Sequence, residues 1–139
     1  MDPASAAAES ELHAILARFD VAVLLTHAED DPARLRGRPM RIAGLDADDT
    51  VYFFAAIDSE KVREALARDD AYVVVQSPGV QAVLHGRVAI TQDKDRIDEL
   101  WFEDEDLFFE AGREDARVCL LCFTPEDGDY WTELCGDAS

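Results

Sequence analysis

The sequence predicts an α+β chain, mainly β, in which six strands form one antiparallel sheet rolled into a closed or split barrel with short helices on its flanks. Two observations carry this. Apolar, β-branched runs of strand length recur along the chain, several separated only by short polar turns, so neighbouring strands are joined as antiparallel hairpins. Only three amphipathic stretches of helical period fall among them, which argues against a doubly wound parallel sheet. A barrel follows because closure removes exposed sheet edges. At 139 residues, 48% of them hydrophobic, the chain is the size of one domain over residues 1–139. Its first nine residues are expected to be flexible.

Ser10 followed by ELHAILARF predicts a capped opening helix with Leu12, Ile15, Leu16 and Phe19 on one face. DVAVLLTH reads as the first strand, and AEDDPARLRG as a loop. RPMRIAGL and TVYFFAAI flank the polar break DADD and predict a hairpin of strands two and three. DSEKVREALARD predicts a crossover helix capped by Asp58 or Ser59, with Val62, Ala65 and Leu66 on its apolar face. AYVVVQ and VQAVLHGRVAI, separated by Ser77 to Gly79, supply strands four and five. Thr91 is the expected cap of a third helix with Ile97, Leu100 and Trp101 apolar. RVCLLCFTP reads as the sixth strand, followed by a loop at Pro125 to Gly128 and a short extended tail, GDYWTEL.

Composition narrows the function. Thirty-one acidic against 13 basic residues leave a net charge of −18. Nucleic-acid affinity rests on Lys and Arg at phosphates, so DNA and RNA are not expected as partners. No apolar run approaches the ~20 residues that span a bilayer, and the N-terminus has no basic segment followed by an apolar run. A soluble cytoplasmic protein is expected. Cys119, Cys122 and Cys135 lack the fourth ligand of a zinc site at usual spacings, and no metal is expected. Cys119 and Cys122 lie three apart on a strand, point to opposite faces and read as buried small hydrophobes. His13, His27 and His85 are scattered, although His85 precedes Gly86 on the strand that starts near Gln81. No G-x-S-x-G or P-loop pattern occurs, which disfavours acyl transfer and nucleotide hydrolysis.

One constellation suggests chemistry. Arg38 stands at a strand start, Ser59 and Lys61 at a helix start, and Gln81 at the start of strand five. A helix N-terminus offers unpaired N–H groups and the positive end of its dipole. Ser59 adds a hydroxyl, Lys61 a charge and Arg38 a planar fork for phosphate oxygens. The same residues also fit an ordinary helix cap.

The order Arg38-Pro39-Met40, Phe53-Phe54-Ala55, Asp58-Ser59-Glu60-Lys61-Val62 and Gln81-Ala82-Val83-Leu84-His85-Gly86 resembles the flavin-binding split-barrel family of pyridoxamine phosphate oxidase. Ile97 to Trp101, Phe108-Phe109 and Tyr130-Trp131 extend the similarity to residues 10–134, within the branch of general stress protein 26. The resemblance implies a six-stranded split β-barrel that binds flavin mononucleotide (FMN) in a groove of a homodimer. It implies that Arg38, Ser59 and Lys61 hold the phosphate, that Met40, Phe54 and Ala55 line the ribityl chain and ring, and that Gln81 meets the polar ring edge. Trp101 and Phe108, and less directly Trp131, would approach from the second subunit. The implied activity is a flavin-dependent oxidoreductase on a small substrate, served by a small electron donor, with its catalytic residues unassigned. The alternatives are a non-catalytic flavin-binding or apo dimeric barrel and a deazaflavin- or haem-binding relative. Retention of Arg38, Ser59, Lys61 and Gln81 favours FMN. The acidic run Glu103 to Asp106, where the branch commonly has a lysine and a second tryptophan, favours the non-catalytic alternative. Glu60 stands where oxidase-type relatives have a second basic residue. The chain also ends before the segment with which true oxidases hold their vitamin substrate, so pyridoxamine phosphate oxidation is not expected.

Overall fold

The structure is a computed structural model that describes residues 11–103 and 109–132. The cap at Ser10, the expected flexibility of residues 1–9, Phe108, Cys135 and all of the acidic run but Glu103 lie outside the described residues. Residues 11–16 are helical (α1). They are followed by β1 (Val21–His27), β2 (Leu35–Arg41), β3 (Gly44–Leu45), β4 (Val51–Ala56), α2 (Glu60–Ala67), β5 (Asp70–Ser77), β6 (Val80–Thr91), α3 (Lys94–Leu100) and β7 (Val118–Thr132). The strands form one sheet in the order β2-β1-β5-β6-β7-β4-β3, and every ladder is antiparallel.

Six long strands match the expected number, and β3 is a two-residue addition. It arises because the expected second strand divides. Its first part starts earlier, at Leu35, and pairs with β1, so that Arg38 faces Leu24 and Met40 faces Ala22. Pro39 is tolerated there because β2 ends the strand order and one side of its ladder needs no N–H. The chain then crosses between strands. Ile42 N–H donates to the Asp20 carbonyl and Ala43 N–H to the Tyr52 carbonyl, both at 2.7 Å. This crossover carries the chain from the β2 end of the sheet to the β3–β4 end, where β2 and β4 come into contact, and the barrel is split at that seam. The expected DADD turn does form, between β3 and β4, with Asp49 at φ 69°. Aspartate tolerates that left-handed conformation better than most residues.

Alternation along β4 and β7 builds two apolar layers. Val51, Phe53 and Ala55 meet Cys119, Leu121 and Phe123 in the main core, together with Leu24, Val73, Val75 and Leu84. The opposite faces of the same strands present Phe54, Val118 and Leu120 to Ile97 of α3 and to Phe109. The two cysteines divide between the layers as their spacing requires, and both are free. Burial pushes each thiol up to about 11, so at neutral pH neither is a ready nucleophile.

Three further expectations are corrected. The Pro125 to Gly128 loop is absent, because β7 runs unbroken from Val118 to Thr132. Its ladder to β6 absorbs the proline and glycine as a bulge, with His85 opposite Asp127 and Gly86 opposite Pro125, leaving Glu126 as the extra residue. The cap of α3 is Asp93, whose carboxylate accepts from Asp95 N–H. Thr91 ends β6, and its hydroxyl accepts from Asp93 N–H instead. On α2, Val62 and Ala65 are buried as expected, but Leu66 is 67% exposed while Glu64 is 1% exposed. The inward place goes to Glu64 because arginines of β2 meet it there.

Candidate anion site

Ser59 is the N-cap of α2 with extended backbone (φ −76°, ψ 159°), yet its side chain makes no capping hydrogen bond. The Ser59 Oγ is buried and has no hydrogen-bond partner. An unsatisfied buried hydroxyl costs about 1–3 kcal/mol, so a group that accepts or donates a bond there would recover that energy. Two residues on, half-buried Lys61 has no hydrogen bond or ion pair to any described residue. Burial, and then the nearby charge of Arg38, hold its ammonium below the usual lysine range. In a chain with 31 acidic residues, two cations that repel each other beside an orphan hydroxyl at a helix N-terminus form a site suited to an anion.

Arg38 is fixed by its surroundings. Its Nη1 donates to Thr26 Oγ1 at 2.6 Å and to the Arg36 carbonyl at 3.2 Å, and its Nη2 to Glu64 Oε1 at 3.0 Å. Burial works against the Glu64 carboxylate. Hydrogen bonds from Thr26 and Arg38 and the charges of Arg38 and Arg36 outweigh it, and hold that carboxyl below its usual range. Glu60 is paired with Arg36 at 2.7 Å, which offsets its charge beside Lys61.

The structure thus brings Arg38, Ser59 and Lys61 together. Met40 lies two residues from Arg38 on the same face of β2, packed against the main core. Ala55 is in that core too, opposite Cys119, whose thiol lies close enough to Lys61 to interact with its charge. Phe54 points the other way. Its ring meets Trp101 edge-on at 5.1 Å, and Trp101 also lies 5.9 Å from Phe109 of the same chain. Phe54 and Ala55 therefore cannot both turn side chains to one ligand, although their backbone can border it. Gln81 is on the other face of the sheet from Arg38. It sits on the outward face of β6 with Val83 and His85, opposite Trp131 of β7.

Sequence reasoning missed Glu64 and Arg36, because nothing in the helix pattern marks which acidic residue will meet β2. His85 lies 3.8 Å from an Asp70 carboxylate oxygen and 3.5 Å from one of Asp127, and His27 bonds Asp70 at 2.9 Å. Among the described residues no three His, Cys, Asp or Glu side chains are grouped to hold a metal ion. An open depression of about 600 Å³ beside α3 is lined by Trp101 and Phe109, by Glu103, Glu110 and Glu114, and by Arg113, a net negative lining that disfavours an anion. Among the described residues no helix is long and apolar enough to cross a membrane.

A split antiparallel barrel, with Arg38, Lys61 and an unpartnered hydroxyl gathered at the start of its crossover helix, sets the class of protein. The chain belongs to the family described as pyridoxamine 5'-phosphate oxidase like, whose model it matches over residues 7–138. No curated protein matches it. Among solved structures it is similar to a putative general stress protein 26 from Jannaschia sp. CCS1, with 26% identity and a TM-score of 0.73, covering 89% of this chain and 79% of that one. It is similar to a general stress protein 26-related protein of the pyridoxinephosphate oxidase family from Clostridium acetobutylicum at 17% identity and a TM-score of 0.74, covering 90% and 88%. A general stress FMN/FAD binding protein from Xanthomonas citri is similar at 18% identity and a TM-score of 0.73, again covering 90% and 88%.

Proposed function

We propose that this chain is a general-stress-type flavoprotein that binds FMN by its phosphate, between the N-terminus of α2 and Arg38. The observation that carries this is the buried, unpartnered Ser59 Oγ beside the unpaired Lys61, which fits a phosphate monoester. The similarity to an FMN/FAD binding protein supports the ligand class. FMN, when bound, supplies one- and two-electron chemistry, and the reaction we favour is oxidoreduction of a small substrate with a small electron donor. The chain's own residues would bind and orient: Ser59 and Lys61 at the phosphate, the backbone of Phe54 and Ala55 along the ribityl chain.

The second element of the reading is a homodimer with the flavin at its interface. Val23, Val74 and Val83 lie in register across β1, β5 and β6. Val21, Val23, Val83 and Trp131 are exposed. Gln81 shares this outward apolar face with Val83, so a second copy seated there would bring one subunit's Gln81 toward the groove of the other. Each copy carries −18, so dimerisation is expected to strengthen with salt as the repulsion is screened. Val83→Asp is expected to shift the protein to monomer in light scattering at micromolar concentration. A wild-type monomer at high salt would exclude the interface.

The test of the ligand is an absorption and fluorescence titration of dialysed protein with FMN, deazaflavin and haem. Saturation by FMN at one per subunit supports the reading, and saturation only by another ligand refutes it. The pH profile is a further check. A phosphate monoester becomes a dianion above about pH 6, so FMN affinity should rise through that value. Affinity should then fall at alkaline pH as Lys61 deprotonates, beginning below its ordinary value of 10.5. Affinity unchanged up to pH 10.5 would exclude Lys61 from the site.

A further inference from the structure

Glu64 is an acidic side chain at 1% exposure, set among the residues that the phosphate reading requires. Its Oε1 accepts from Thr26 Oγ1 at 2.6 Å and from Arg38 Nη2 at 3.0 Å, and its Oε2 lies 3.7 Å from Arg36 Nε. Arg38 has five N–H donors. The Glu64, Thr26 and Arg36-carbonyl contacts engage three of them and leave two. The charges of Arg36, Arg38 and Lys61 against Glu60 and Glu64 leave one net positive charge before any ligand arrives.

We propose that Glu64 is a specificity-determining residue of the phosphate site: it fixes the Arg38 fork for the phosphate and at the same time attenuates the site's charge, with Arg36 compensating the two glutamates. The inference rests on the flavin reading above. It makes the affinity for the phosphate-bearing ligand adjustable in both directions without touching the ligand. Removing the charge while keeping the acceptor should tighten binding. Removing the acceptor should free Arg38 and loosen it. Removing Arg36 should leave both glutamates to draw on Arg38 and Lys61, and should loosen binding as well.

The experiment is a titration of the full chain with FMN and with riboflavin, the same ring without phosphate, at two salt concentrations. Glu64→Gln is expected to tighten FMN about tenfold at low salt and less at high salt, from loss of one nearby charge, with riboflavin unchanged. Glu64→Ala is expected to weaken FMN. Arg36→Gln should weaken FMN about fivefold and lose that effect in the Glu64→Gln background, since the two residues act through one network. A purely structural role for Glu64 would move both ligands together, and the conservative Glu64→Gln and Arg36→Gln variants keep the test available if Glu64→Ala does not fold. If Glu64→Gln leaves the FMN-to-riboflavin ratio unchanged or lowers it while Lys61→Glu still removes FMN, the inference is overturned and the flavin reading stands. If wild type binds no FMN, both are overturned.

Discussion

Replacing Gly86 by alanine is expected to destabilise the protein by about 3 kcal/mol, the upper range for forcing extra volume into a packed site. A Cβ at this position would lie 2.1 Å from the Thr124 carbonyl oxygen and 2.8 Å from Pro125 Cα. Both are backbone atoms of β7, so no side chain can swing aside. The strands must part where the register shifts and Glu126 is already extra. For a domain of this size the loss corresponds to a melting temperature lower by roughly 10 °C. Gly79→Ala is the control. At φ 93° with open space around it, alanine meets no clash there and should cost only about 1 kcal/mol of stability through backbone strain. Equal melting temperatures for the two variants would refute the bulge as described.

Lys61→Glu is expected to weaken FMN at least ~100-fold, since it replaces a charge-assisted phosphate contact with a repulsion. Riboflavin binding should be unchanged. Fold stability should not suffer in proportion, because Lys61 has no described hydrogen bond or ion pair to lose and its charge is disfavoured by burial and by Arg38. Ser59→Ala sharpens the comparison. It removes an unpartnered buried hydroxyl, so the free protein should be as stable or slightly more stable while FMN binds more weakly. Parallel losses of FMN and riboflavin in both variants would mean that these residues support the fold and do not read the phosphate.

How much of this was legible in the sequence depends on how local the cause is. VAVLLTH and QAVLHGRVAI alternate, and they became β1 and β6 because one face of each meets the core, whereas the apolar run VYFFAA became β4 with both faces buried. The Pro78-Gly79 turn was legible for the same reason, since a proline followed by a glycine at φ 93° satisfies the turn by itself. The split of the second strand was not legible. It depends on Ile42 and Ala43 finding carbonyls at Asp20 and Tyr52, which only the assembled barrel supplies. Pro125 and Gly128 read as a loop because their neighbours are polar, whereas β6 holds them in a continuous ladder.

The candidate site divides in the same way. Ser59 and Lys61 were legible from residue type at a helix start, and Arg38 from its charge on a strand. Burial of Glu64 was not legible, because it depends on arginines that lie in β2, far back in the sequence. Period-two alternation sets Phe54 opposite to Ala55 and sends Gln81 outward. The alternation could have been read in advance, but not which face meets the anion.

The most direct test is a crystal structure of the protein soaked with FMN. The phosphate is expected at the N-terminus of α2, with its oxygens in hydrogen-bond contact with Ser59 Oγ, Lys61 Nζ and the free N–H groups of Arg38. Flavin bound with its phosphate elsewhere, leaving Ser59 and Lys61 untouched, would contradict this placement.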